Sequence, residues 1–170
     1  MTERPRREFL RILGASSAIS LGTIFPQPGV AQAKRVAKQI KCGQIGTRHA
    51  HASGKMATMR KFSNDWQVIG VVEPDAQRRK ALEQSAAYRG VKWMSEEELL
   101  NSPGLQMVAV ETEVRELIPT AMRCIDAGVH IHLDKPAGES LPAFQKLLSA
   151  ATSKKRVVQM GYMFRYNEGF

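Results

Sequence analysis

The 170 residues allow one ordinary domain and leave little room for a second. The net charge of +9 is spread among acids, with no cationic run or interleaved aromatics. That distribution excludes a nucleic-acid interface and leaves anionic small molecules as fitting partners.

Residues 1–33 read as an export signal. Arg6-Arg7-Glu8-Phe9-Leu10 is a twin-arginine pair followed by Phe-Leu, and the apolar stretch Ile12–Phe25 and the small-x-small site Ala31-Gln32-Ala33 come next. The stretch is diluted by Ser and Gly and falls short of the ~20 apolar residues of a membrane span. This pattern predicts the twin-arginine export machinery as a partner and a periplasmic destination. The alternative is a basic amphipathic arm on a cytoplasmic protein. Without this segment the chain still carries +7, from 21 basic and 14 acidic residues.

Residues 38–161 read as one dinucleotide-binding domain opened by Lys38–Ala52. Ile40, Cys42 and Gln44-Ile45 form a short strand that runs through Gly46-Thr47-Arg48-His49 into a helical pattern. A glycine turn between strand and helix lets the backbone bend sharply, and the helix-opening N–H groups can face a pyrophosphate. The Gly-x-Gly-x-x-Gly/Ala fingerprint is only partly kept: Gly46 fits the first position, Arg48 stands at the second and His51 at the third. An ordinary strand-to-helix turn is the plain alternative.

Ala52, Met56, Met59 and Phe62 or Ser63 mark one helix face, and the methionines read as core. Trp66–Val72 is a nearly continuous apolar run, as in a strand covered on both faces. It ends in Glu73-Pro74-Asp75. Glu73 lies near the ~20-residue offset at which an acidic side chain meets the adenosine ribose; otherwise it is a solvated turn carboxylate. Asp75 caps a predicted helix over 76–87. A third strand, Val91–Met94, precedes the capping box Ser95-x-x-Glu98 and a helix to Asn101. Gln106–Val110 is the fourth strand. Leu117, Ile118, Ala121, Met122 and Ile125 trace a helical stripe that Gly128 stops, with Pro119 placing its start about one turn earlier. Cys42 and Cys124 fall on a predicted strand and helix, lack metal-ligand spacing, and read as small core residues.

Val129–Leu133 is the fifth strand. His130 and His132 share a face, but with no third ligand in view the pattern predicts no metal site. Asp134-Lys135-Pro136 follows at the carboxyl end, where open α/β sheets place ligands. Ser140 and Pro142 open a helix through Ala151, and Arg156–Met160 is the sixth strand. The predicted fold class is α/β, a doubly wound parallel sheet of the Rossmann type.

Ala127-Gly128-Val129-His130 followed by Asp134-Lys135-Pro136 resembles the Ala-Gly-Lys-His-Val-x-x-Glu-Lys-Pro motif of the Gfo/Idh/MocA family. The family is named for glucose–fructose oxidoreductase, inositol dehydrogenase and a rhizopine-catabolism protein. Glu73-Pro74-Asp75, Thr112 and the terminal Gly161-Tyr-Met-Phe-Arg-Tyr are similar to further family features, and the resemblance runs from about Ile40 to Phe170. Arg48, Asp134, Glu113 and Leu117 depart from the pattern.

The resemblance implies an NAD(P)-binding domain, with residues 162–170 beginning a second α+β domain that is missing here. It implies an oxidoreductase acting on a small sugar-like or polyol substrate, with a homo-oligomer in the full-length form. Gly46, Thr47, Arg48 and His49 would surround the pyrophosphate, Glu73 the adenosine ribose and Thr112 the middle of the cofactor. Asp134, Lys135 and Pro136 would complete the site. Lys135 would be the catalytic residue, holding the substrate oxygen and taking part in proton transfer. Glu73 favours NAD, whereas Arg78-Arg79 could accept the extra phosphate of NADP. A nucleotide-binding sensor or scaffold without turnover is the alternative from another class, motivated by Arg48 and the missing domain.

Overall fold

Alternating apolar strands and amphipathic helices dictate the layering of the computed structural model. It describes residues 39–162, 164, 165 and 167–169; the export-signal reading of residues 1–33 lies outside them. Strands β1 (Ile40–Ile45), β2 (Trp66–Val72), β3 (Trp93–Met94), β4 (Met107–Val110), β5 (His130–Leu133) and β6 (Val158–Met160) form one sheet in the order β3-β2-β1-β4-β5-β6. Every pairing is parallel. The chain starts in the middle, winds out to β3, crosses back to β4 and winds out to β6. This is the doubly wound sheet expected from the sequence, with its switch point between β1 and β4.

Each face has its own core. Helix α1 (Ala52–Lys61) turns Ala52, Met56 and Met59 inward, and the two methionines pack with Cys42, Val71, Ala109 and Tyr88. On the other face, α3 (Glu96–Leu100), α4 (Val114–Asp126) and α5 (Leu141–Ser153) set Leu99, Leu117, Ala121, Ile125 and Leu147 against Val108, Val110, Ile131 and Leu133. Burying each large aliphatic side chain is worth about 1.5–3 kcal/mol. Burial pushes the thiols of Cys42 and Cys124 up to about 12, so both stay protonated as small core groups.

The predicted caps form. Asp75 accepts the N–H groups of Gln77 and Arg78, Ser95 and Glu98 close a capping box, and Gly128 takes φ +78 just after α4. Pro119 lies inside α4, which begins at Val114.

Several boundaries differ from expectation. Helix α2 (Ala76–Leu82) stops well before Ala87, because the chain must curl to bury Tyr88. Its ring stacks on Trp93, with centroids 5.8 Å apart, and the Arg60 guanidinium holds the curl by donating to the carbonyls of Ala87 and Arg89. Phe62 is exposed at the end of α1. Strand β6 begins at Val158, since Arg156 N–H closes on Ala151 O and Val157 N–H donates to His130 Nδ1.

Candidate functional site

The turn after β1 passes close to the end of β4. A Cβ on Gly46 would lie 2.8 Å from the carbonyl carbon and oxygen of Glu111 and from Thr112 Cα, and Gly46 sits at φ +87. Only glycine meets both conditions without strain. Its N–H donates to Val72 O at 2.9 Å, which ties the turn to the end of β2. The ends of β1, β2 and β4 thereby frame a cleft of about 960 Å³, lined by Gly46, Arg48, Glu73, Arg79, Trp93 and Thr112 among others. That volume suits a small-molecule or cofactor site. The N–H groups of Thr47 and Arg48 find no acceptor among the described residues, which fits a loop built to meet an anion.

Glu73 is 4% exposed, and its carboxylate is held by close neighbours. Thr47 Oγ1–H donates to Oε2 at 2.5 Å and Asp75 N–H to Oε1 at 3.0 Å. Arg78 Nε lies 3.7 Å from Oε2 and donates to Thr47 Oγ1 at 2.7 Å. A buried carboxylate needs such partners. They tie Glu73 and Thr47 to each other and to Arg78 at the ends of β1 and β2. Arg79 lines the cleft as well.

Arg48 spans the mouth. Its guanidinium lies 2.6 Å from Asp75 Oδ2 and 3.6 Å from Glu113 Oε1, with all three side chains well exposed. The Arg78 N–H leads the causes that hold the Asp75 carboxyl below its usual range, with Gln77 N–H and the charges of Arg48 and Arg78 adding to it. Exposed ion pairs of this kind hold weakly.

A second group forms where β5 ends. Asp134 is fully buried. Lys135 N–H donates to its Oδ1 at 2.7 Å, and His51 Nδ1 lies 3.1 Å from Oδ2. His49 Nδ1 stands 3.4 Å from the same oxygen and 3.6 Å from Glu111 Oε2. Burial alone would raise the Asp134 carboxyl; the Lys135 N–H, His51, and the charges of His49 and Lys55 outweigh it and lower it. Burial first, then the charge of Asp134, pushes Glu111 up to about 8. Asp134 and the His49 imidazole thus face each other at the end of β5. Lys135 is exposed and lines a hollow of about 360 Å³ with Gly161, Tyr162, Phe164 and Arg165. Pro136 follows it through a cis peptide bond and is exposed.

Of the residues expected from sequence, Gly46, Arg48, Glu73 and Thr112 border one cleft. His49 joins the two regions, its N–H donating to Glu111 O and its Nε2–H to Lys135 O, both at 3.0 Å. Glu111 and His51 were not expected at the site, and Arg78 was expected only as a contact for the extra phosphate of NADP. Glu111 follows an apolar run and reads as a strand end; His51 stood in a glycine slot, and that mismatch was its only signal. The further ligands that the sequence did not offer His132 are Glu111 and Asp134, with one donor atom from each of the three lying within 4.8 Å of the others.

A family model described as an oxidoreductase family with an NAD-binding Rossmann fold, Gfo/Idh/MocA, matches residues 40–162. No curated protein matches by sequence. Among solved structures, the chain is similar to yvaA of Bacillus subtilis (TM-score 0.67, 22% identity), covering 81% of this chain and 39% of that one. It is similar to the WlbA dehydrogenase of Chromobacterium violaceum, solved with NADH and UDP-GlcNAcA (0.66, 20%, covering 76% and 36%). Biliverdin reductase of Synechocystis, solved with biliverdin and NADP+, gives 0.61 and 20%, covering 71% and 37%. At these identities the likeness is one of fold, and this chain spans well under half the length of each.

Proposed function

The chain belongs to the Gfo/Idh/MocA oxidoreductase family, with its NAD-binding Rossmann fold, and on that premise we propose that this domain holds the NAD(P) of an enzyme oxidising or reducing a hydroxyl carbon of a sugar-like or polyol substrate. The observation that carries the proposal is the cleft at the β1/β4 switch point, where Gly46 leaves backbone-only space. Gly46, Thr47, Arg48 and His49 would surround the pyrophosphate of the cofactor, Glu73 the ribose and Thr112 its middle, with Asp134, Lys135 and Pro136 completing the site; the cofactor supplies the hydride chemistry when bound. Lys135 would hold the substrate oxygen and exchange a proton with it. The sugar-like class draws on the resemblance at 127–136 and on the sugar nucleotide bound by WlbA. An exposed Arg48 ion pair can exchange Asp75 for a pyrophosphate without disturbing the core. Arg48→Ala should therefore weaken NADH binding about 10-fold, the size of a lost charge-assisted contact, and added salt should weaken the unaltered chain. Tighter binding by Arg48→Ala would make Arg48 a barrier and favour a sensor or scaffold without turnover.

We further propose that the domain belongs to an exported protein, on the strength of Arg6-Arg7. Exchanging both for lysine should leave the precursor in the cytoplasm, and normal export of that variant would remove the proposal.

A further inference from the structure

An inward carbonyl sets the direction of the turn after β1. Gly46 O accepts from Gln44 Nε2 at 2.9 Å, and the second hydrogen of the same nitrogen goes to the Tyr88 hydroxyl at 2.8 Å. A carbonyl only accepts, so the amide nitrogen, not its oxygen, stands at this end. Gln44 and Tyr88 are fully buried, and the Tyr88 ring is stacked on Trp93. The Gly46 carbonyl is therefore drawn into the core by a donor that is itself anchored. In a trans peptide the C=O and the following N–H lie in one plane and point opposite ways. The Thr47 N–H is thus turned away from the core, and it finds no acceptor among the described residues.

Packing alone does not call for a glutamine at this position. In register Gln44 lies between Val71 of β2 and Ala109 of β4, both buried, and its Oε1 has no hydrogen-bond partner. Burying an amide with one end unpaired is unfavourable, and an aliphatic side chain would fill the strand without that penalty. What the amide adds is a donor for the Gly46 carbonyl. We propose that Gln44 is a positioning residue of the cofactor site, holding the Gly46–Thr47 peptide so that the Thr47 N–H meets the pyrophosphate of NAD(P). The inference rests on the reading of the cleft as the cofactor site. Gly46, at φ +87, is the residue that lets the chain turn here, but glycine also leaves the next peptide free to rotate. Turned over, that peptide would present a carbonyl oxygen where the N–H now stands and would repel an anion. A permissive glycine therefore needs a lock, and the Gln44 amide supplies it from inside the sheet. Donors fixed before the anion arrives need no reorganisation to bind it. Gln44 itself touches no cofactor atom; it acts through the backbone two residues on.

The test pairs NADH titration with heteronuclear NMR of the backbone amides. Gln44→Met keeps the length of the side chain and removes both donors. It should weaken NADH binding about 10-fold, the size of one lost hydrogen bond to a charged group. In the unaltered chain the Thr47 amide signal should shift and gain protection from hydrogen exchange as NADH saturates, and in Gln44→Met that response should be lost. The Gly46 amide, held by Val72 O, should stay protected in both, which shows that the turn keeps its place. Tyr88→Phe leaves the Gly46 carbonyl its donor and should lose less affinity than Gln44→Met. A glutamine that only stabilises the core would lower the melting temperature of Gln44→Met and leave its NADH affinity, measured well below that temperature, unchanged; that result would overturn the positioning role. So would a Gly46 amide left unprotected in the variant, because Gln44 would then shape the whole turn. Should the variant not fold, the unaltered chain still decides: a Thr47 amide unmoved by saturating NADH contradicts the proposal. Absence of NADH binding by the unaltered chain would instead remove the cofactor reading itself, and this inference with it.

Discussion

Lys135→Met in a full-length protein carrying this domain should lower kcat by roughly 10²-fold or more, the scale of a lost acid/base or charge-positioning group. NADH affinity should stay within a few-fold of the original. The reason lies in how the position is built. Its backbone N–H holds Asp134 and its carbonyl accepts from His49, and a methionine keeps both. The side chain is exposed and lines the hollow with Tyr162 and Arg165, so removing the ammonium leaves the packing intact. A fall in kcat with an unchanged melting temperature therefore reports chemistry. A lysine that merely supports the strand end would show the reverse, a lower melting temperature and unaltered single-turnover hydride transfer. The 170-residue chain alone should show no turnover, because this hollow is open and positioning supplies much of a rate enhancement.

Gly46→Val should cut NAD(H) affinity at least about 30-fold and lower stability by more than the ~1–2 kcal/mol of a left-handed non-glycine residue. The branched side chain meets a φ of +87 and a Cβ contact of 2.8 Å with the Glu111 carbonyl and Thr112 Cα. Backbone neighbours cannot swing aside as a flexible side chain can. The loop must move, and the amides of Thr47 and Arg48 move with it. Gly54→Ala is the matched control. Gly54 lies inside α1 with nothing within 4 Å of its missing Cβ, so alanine should raise stability by about 0.5–1 kcal/mol and leave affinity alone. Thermal melts and NADH titrations of the two variants check both expectations; unimpaired binding by Gly46→Val would place the cofactor elsewhere.

The sheet was legible because its strands are short apolar runs separated by caps and glycines, each a local signal. Asp75, Ser95 and Gly128 act on their own neighbours in the chain, so reading them needed no tertiary knowledge. The end of α2 was not legible, since it is set by Tyr88 entering a core shared with Trp93 and by Arg60 reaching across from α1. The cleft was legible through Gly46 and the position of Glu73, but the partners that hold the Glu73 carboxylate were not. Its orientation depends on Thr47 and Arg78, partners distant in sequence and brought together by the turn after β1. Asp134 shows the same limit. Its place after β5 identifies a ligand-bearing strand end, yet its burial against His49, His51 and Glu111 comes from three strands meeting.

Titration of the chain with NADH, followed by quenching of its tryptophan fluorescence, tests the central claim most directly, because Trp93 lines the cleft. The account predicts saturable binding of one NADH per chain, with a quench that disappears in Trp93→Phe and an affinity that falls in Gly46→Val. Absence of saturable binding at millimolar NADH, or a quench that survives in Trp93→Phe with Trp66 as its only source, would contradict it.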